Sequence, residues 1–203
     1  MSTEEAFETF DQAVEILAEA GDNVSPTHIR NAMSLLLMAV KKAGGVFPQA
    51  NGLLAELYLM TGDYNFATKY ADLALSQDPD LLETQYIKVG IAFNNLDSMY
   101  GGIVGIFSER AKQRKLNDEI TRYVSLYDRL CATGMEATKF IYRSTALIGV
   151  ADRLSQSKNS LSKKINIYSH VANAPIVNLS YESEGEREEV KKIRHLAEGR
   201  MSL

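Results

Sequence analysis

Residues 48 to 81 constrain the fold more than any other stretch of this chain. Leu53, Leu54, Leu57 and Tyr58, with Ala55 beside them, place an apolar stripe on one helix. Gly62-Asp63 then ends that helix, because glycine tolerates the left-handed conformation that a helix C-cap requires. A second helix carries Phe66, Ala67, Tyr70, Ala71 and Ala74. Ala67 and Ala74, seven apart, lie on one face and let two helices approach closely. Asp78-Pro79 closes the segment, since the residue before a proline is pushed out of the helical region. Such a hairpin cannot bury its stripe alone and requires stacked neighbours.

The order Leu54-Ala55, Tyr58, Gly62-Asp63-Tyr64, Ala67, Ala74 and Pro79 resembles the 34-residue helix–turn–helix unit of the tetratricopeptide-repeat (TPR) family. Asn51 stands where that pattern has tryptophan, and Ala71 replaces its aromatic residue, with Tyr70 adjacent. The resemblance implies an all-α chain, a right-handed solenoid of antiparallel helix pairs with a C-terminal extension. It further implies a non-enzymatic scaffold or adaptor that binds a partner segment in a concave groove.

Neighbouring repeats can be sought by register. Setting Gly21-Asp22 against Gly62-Asp63 brings Phe10, Ala13, Val14 and Leu17 to the family's four first-helix packing positions, so residues 7–47 form a longer first repeat. Phe7 joins them on the apolar side of the first helix. Ser25-Pro26 reads as an N-cap followed by proline at the first helical position. A strict 34-residue shift beyond Leu81 sets Gly101 against Ala67 and Ser108 against Ala74, with Gln113 in place of proline, giving a degenerate third repeat at 82–115. After a two-residue insertion, Ser125, Ala137 and Ser144 occupy the small positions of a fourth, at 118–151, with Gly134 in its turn. The domain reading is therefore 1–157 as the repeat array. Residues 158–203 read as a C-terminal helix, an alternating extended segment around Ile176–Tyr181, and a charge-dense end at 184–200 that reads either as an exposed helix or as a partly ordered tail.

Hydrophobic content of 45% and charged content of 24% belong to a globular chain. No stretch has the length and apolarity of a membrane span, and the acidic N-terminus lacks a signal-peptide pattern. The single cysteine, Cys131, excludes an internal disulfide and suits a reducing cytoplasm. Charge is uneven. Residues 1–80 hold 12 acidic and 4 basic residues, and 81–203 hold 14 and 18.

No catalytic or metal-binding pattern emerges, and no enzyme activity or cofactor is expected. His28, His170 and His195 lack a second ligand at metal spacing. Cys131 has no histidine nearby in sequence and reads as a small buried hydrophobe. Gly101-Gly102-Ile103-Val104-Gly105 lacks both the Gly-Lys-Ser/Thr ending and the preceding strand of a phosphate loop.

What remains is binding. In the TPR family, positions 2, 5, 9, 12 and 13 of each first helix face the groove. Carried over, they give Gln49, Gly52, Glu56, Leu59 and Met60 in the second repeat, and Glu83, Tyr86, Gly90, Phe93 and Asn94 in the third. Gly52 and Glu56 stand where family members that clamp a terminal carboxylate have Lys and Asn, which argues against that ligand. Tyr86 and Phe93, seven apart, would floor a partner-binding groove. The first repeat offers Glu8, Asp11, Glu15 and Glu19, and the fourth Glu119, Arg122 and Arg129, so the groove would run from acidic to basic. Such polarity favours a protein segment of opposite polarity or a second copy docking head to tail, a homo-oligomer to which the Ile176–Tyr181 strand would contribute. A weaker reading is nucleic-acid binding through 109–164, where 12 basic residues face 6 acids without an aromatic-stacking motif. A third is a dedicated chaperone for one partner protein.

Overall fold

The computed structural model describes residues 3–97, 103–134, 136–155, 167–174 and 183–201. Among these it is all-helical, with nine α-helices and no strand. The chain divides into two compact units, 1–116 and 117–203.

In the first unit, α1 (Thr3–Ala20) pairs with α2 (Pro26–Lys42), and α3 (Pro48–Met60) with α4 (Tyr64–Gln77); α5 (Leu82–Asp97) packs on both α3 and α4. The expected punctuation is in place. The Ser25 hydroxyl accepts from the His28 amide at 3.3 Å, while His28 Nδ1 accepts from the Ser25 amide at 3.2 Å, so α2 starts on a reciprocal cap with Pro26 as its first residue. Gly62, at φ 79°, ends α3; its own amide and that of Asp63 return to the carbonyls of Leu59 and Tyr58 at 3.1 and 2.9 Å. Gly44 and Gly45 end α2 by the same pair of bonds, to Lys41 and Val40. Asp63 then caps α4 by accepting from the Phe66 amide at 3.3 Å.

Small residues set the helix spacings. Ala67, Ala71 and Ala74 are buried on α4, and Ala32 and Ala39 on α2. On α1 the buried face is Ala6, Thr9 and Ala13, and Phe7 and Val14 are 49% and 39% exposed. Of the expected packing positions Ala13 is buried and Phe10 and Leu17 pack against the core, whereas Val14 turns outward with Phe7. Small residues let α1 lie close on α2, and Lys42 Nζ donates to Thr9 Oγ1 at 2.9 Å to tie the hairpin. Asn51, at the tryptophan position, is fully buried and donates to Gln77 Oε1 at 3.0 Å. Gln77 Nε2 donates in turn to the Gly45 carbonyl at 2.9 Å, joining the end of α4 to the turn before α3.

α3 and α5 approach each other closely at two glycines. A Cβ placed on Gly52 would lie 2.5 Å from Thr84 Oγ1, and one on Gly90 would lie 3.3 Å from Leu59 Cδ2. Each helix therefore gives a glycine to a side chain of the other. Residue 52 meets 84 and 59 meets 90, in the same order along both helices, so α3 and α5 run parallel. The Lys88–Asp72 ion pair holds α5 to α4 as well.

After α5 the structure departs from a 34-residue register. The expected boundary between a third and a fourth repeat, at 115–118, lies inside one continuous helix, α6 (Ile103–Thr133). No glycine or proline occurs between Ile106 and Thr133, so nothing there interrupts a helix. Gly101 lies outside the described residues, as does the expected strand at Ile176–Tyr181.

In the second unit, Ile120, Tyr123, Tyr127 and Cys131 of α6 are buried, as are Phe140, Ser144 and Leu147 of α7 (Ala137–Ser155). Tyr127 Oη and Ser144 Oγ share a hydrogen bond of 2.7 Å. Gly134, at φ 102°, forms the turn between these helices. Ser125, expected at a packing position, is exposed. The short α8 (Ile167–Ala172) is pinned by polar contacts: the Tyr168 hydroxyl donates to Asp152 at 2.7 Å, and His170 Nδ1 lies 2.8 Å from Asp128 Oδ2.

The charge-dense end forms the helix expected of one reading of it, but one face of that helix is packed and not exposed. Residues 184–201 form α9 (Glu184–Met201), which buries Val190, Ile193 and Ala197 against α7 and α8. Their spacing of three and four makes one helical stripe, and the charged residues occupy the rest of the surface. Ser183 and Glu186 cap the helix start reciprocally, at 2.8 and 3.2 Å. The Arg194 guanidinium lies 5.8 Å from the centre of the Phe140 ring, and Arg200 reaches Asp152 at 3.4 Å.

Candidate functional site

Between α1 and α3 the first unit holds an apolar trough of about 460 Å³. Val14, Leu17 and Ala18 of α1 form one wall, and Leu53, Glu56, Leu57 and Met60 of α3 the other, with Val24 from the connection before α2 at one side. Its cause is local. Phe47, just before α3, lies between Phe7 and Phe10 with ring centres 4.8 and 5.2 Å away. That aromatic wedge fills the space between the N-terminal ends of α1 and α3. Farther along no such ring fills the space beside Val14 and Ala18, whereas between α3 and α5 the glycine contacts close the gap. The trough is wide at its mouth, with Val14 39% and Met60 55% exposed.

Glu56 is the one ionisable group in the lining. Its side chain is exposed overall, yet its apolar surroundings desolvate it and raise its carboxyl above the ordinary range. No cation pairs with it among the described residues.

The other residues expected at a binding groove fall into three groups. Glu8, Asp11 and Glu15 are exposed along α1, on the helix that forms one trough wall. On α5, Tyr86 is 42% exposed, but Phe93 is 4% exposed and Asn94 half-buried. Phe93 therefore belongs to the core and does not join Tyr86 in an aromatic floor. Gly52, expected to face the groove, is likewise consumed by its contact with Thr84. Arg122 and Arg129 are both exposed on α6, in the second unit, where Arg122 pairs with a buried Glu119 at 3.7 Å. Glu119 was expected in the groove lining and is instead part of the interior.

Two further clusters were not anticipated. Tyr58 stacks between Phe66 and Tyr70 at 5.1 and 5.4 Å, and Lys69 lies over Phe66 and Tyr70 at 5.7 and 5.6 Å. Burial, then the neighbouring Tyr70 and Asp63, raise the Tyr58 hydroxyl above its usual range. In the second unit, burial pushes the Cys131 thiol up to about 11, and the Tyr127 hydroxyl is raised by the same cause. A thiol held protonated inside a core is a packing group, not a nucleophile. Among the described residues no group of His, Cys, Asp and Glu could hold a metal ion, and no helix is long and apolar enough to cross a membrane.

No protein-family model matches this chain, and neither the curated proteins nor the solved structures yield a match.

Proposed function

We propose that this chain is a non-enzymatic interaction module built from TPR-like stacked helical hairpins, and that the α1–α3 trough receives a segment of a partner protein. The observation that carries this reading is the trough itself: an open apolar depression between the first helices of two successive hairpins. In the TPR family those helices line the ligand groove. The parallel run of α3 and α5, joined by reciprocal glycine contacts, supports the same stacking. Apolar side chains left at the surface in one concave patch mark an interaction site more often than scattered ones do.

A photo-crosslinking amino acid at Met60, in the trough mouth, is expected to give one discrete protein adduct in cells. The same probe at Met38, exposed on α2, should not give that adduct, and Leu53→Glu should abolish it. An adduct at position 60 that is equally strong at 38, or that survives Leu53→Glu, would refute the assignment.

A further inference from the structure

The two helices that form the walls of the trough, α1 and α3, carry acidic residues and no Lys or Arg. On α1, Asp11, Val14, Glu15 and Ala18 fall at spacings of three, four and seven, which puts them on one helix face. On α3, Leu53, Glu56, Leu57 and Met60 repeat the same spacing. Carboxylates thus stand among the apolar side chains on both walls. Asp11, Glu15 and Glu56 are all exposed, and no ion pair engages them among the described residues.

We infer that the segment docked in the trough is basic and amphipathic, with a large aliphatic side chain in the pocket and Lys or Arg beside it, meeting Glu56, Asp11 and Glu15. This rests on the reading of the trough as a docking surface and specifies its partner. Charge complementarity carries the assignment. An apolar anchor alone would be indifferent to its neighbours, but an acidic segment would bring like charges together at a partly desolvated site, which is costly. A cation at Glu56 instead supplies the partner that this carboxylate lacks. The shape argues for a segment of a larger molecule over a small ligand. Small molecules bury about 70–90% of their surface when bound, and a trough whose lips, Val14 and Met60, are 39% and 55% exposed does not enclose one.

The test uses the full chain and three short synthetic peptides. The first interleaves two leucines with an arginine and a lysine; the second replaces both basic residues with glutamate; the third replaces both leucines with serine. Binding is followed by NMR of the methyl groups of Val14, Leu17, Leu53 and Met60 at low salt. The first peptide should move these signals saturably. The second should bind about tenfold more weakly, the sum expected from losing two exposed charge contacts and setting glutamates against the carboxylates instead. The third should leave the methyl signals still. Glu56→Gln should weaken the first peptide and not the second. Equal binding of acidic and basic peptides overturns the charge assignment while leaving the docking surface intact. Failure of every peptide to move the trough methyls overturns the inference, and the crosslinking experiment judges the docking surface separately. Displacement of the first peptide by a short alkylamine at equal concentration would mark a small-ligand site and also overturn it.

Discussion

Replacing Gly52 with alanine tests the α3–α5 contact directly. Within a helix, alanine is favoured over glycine by about 0.5–1 kcal/mol, so the substitution would stabilise α3 if space were available. Space is not available: the new Cβ would sit 2.5 Å from Thr84 Oγ1. Thr84 is buried, with a short branched side chain that leaves its γ atoms few alternative positions. Overpacking of this kind costs about 1–3 kcal/mol, so Gly52→Ala should be net destabilising by roughly 1–2 kcal/mol. Thr84→Ala removes the obstructing oxygen, and the remaining Thr84 Cβ lies at an ordinary 3.9 Å from the added methyl. The double variant should therefore recover at least the stability of Thr84→Ala alone, with a coupling of about 1–3 kcal/mol. Thr84→Val keeps both γ atoms and should not rescue. Urea unfolding followed by far-ultraviolet circular dichroism measures all five proteins. Additivity of the two alanine substitutions within about 0.3 kcal/mol would refute the close approach of α3 and α5.

Glu56→Gln removes a carboxylate whose charged form is disfavoured by the fold, so it should raise the melting temperature at neutral pH. Because the folded value lies above the unfolded one, wild-type stability falls as pH rises from about 4.3 through the raised value, and the gain should shrink toward pH ~4; an equal gain at pH ~4 and pH ~7 would contradict this. Ser144→Ala leaves the buried Tyr127 hydroxyl dependent on the Cys131 thiol, a weak partner, and should cost about 1–2 kcal/mol, most of which Tyr127→Phe in the same chain should restore. Cys131 should resist alkylation at pH ~8 in the folded chain and react once urea unfolds the second unit; fast reaction under native conditions would show that the thiol is not buried. Ile193→Ala should cost about 2–4 kcal/mol, whereas loss of a solvated tail residue would cost almost nothing.

The parts of the fold written as local chemistry were legible. Ser25-Pro26, Gly62-Asp63 and Asp78-Pro79 each dictate a backbone event, and each event occurs where those residues stand. The boundary at 115–118 had no such residue behind it. It came from propagating a period, and the uninterrupted run from Ile106 to Thr133 carries α6 straight through. The packed α9 was also readable: Ser183-x-x-Glu186 is a capping box, and Val190, Ile193 and Ala197 make a stripe, but the surrounding charge obscured a face only three residues wide. The trough could not be read from one helix at a time. Its volume depends on how far α1 stands from α3, which is set by Phe47 between two rings and by the connection that carries Val24. Phe93 was misplaced for a similar reason, since only the packing of α5 decides which of its faces is interior.

The Phe47 wedge sits as a spacer between α1 and α3. Its rings bear on α1 at residues 7 and 10, which fixes a fulcrum near one end of the helix. Val14 to Ala18 lie up to about 12 Å farther along, at 1.5 Å per residue. A tilt of about 5° about that fulcrum would change the spacing at Val14 to Ala18 by roughly 1 Å. Between α3 and α5, two contacts seven residues apart on α3, Gly52 with Thr84 and Leu59 with Gly90, set the spacing instead. The α1–α3 spacing thus rests on a single aromatic wedge, whereas the α3–α5 spacing is set by two direct contacts.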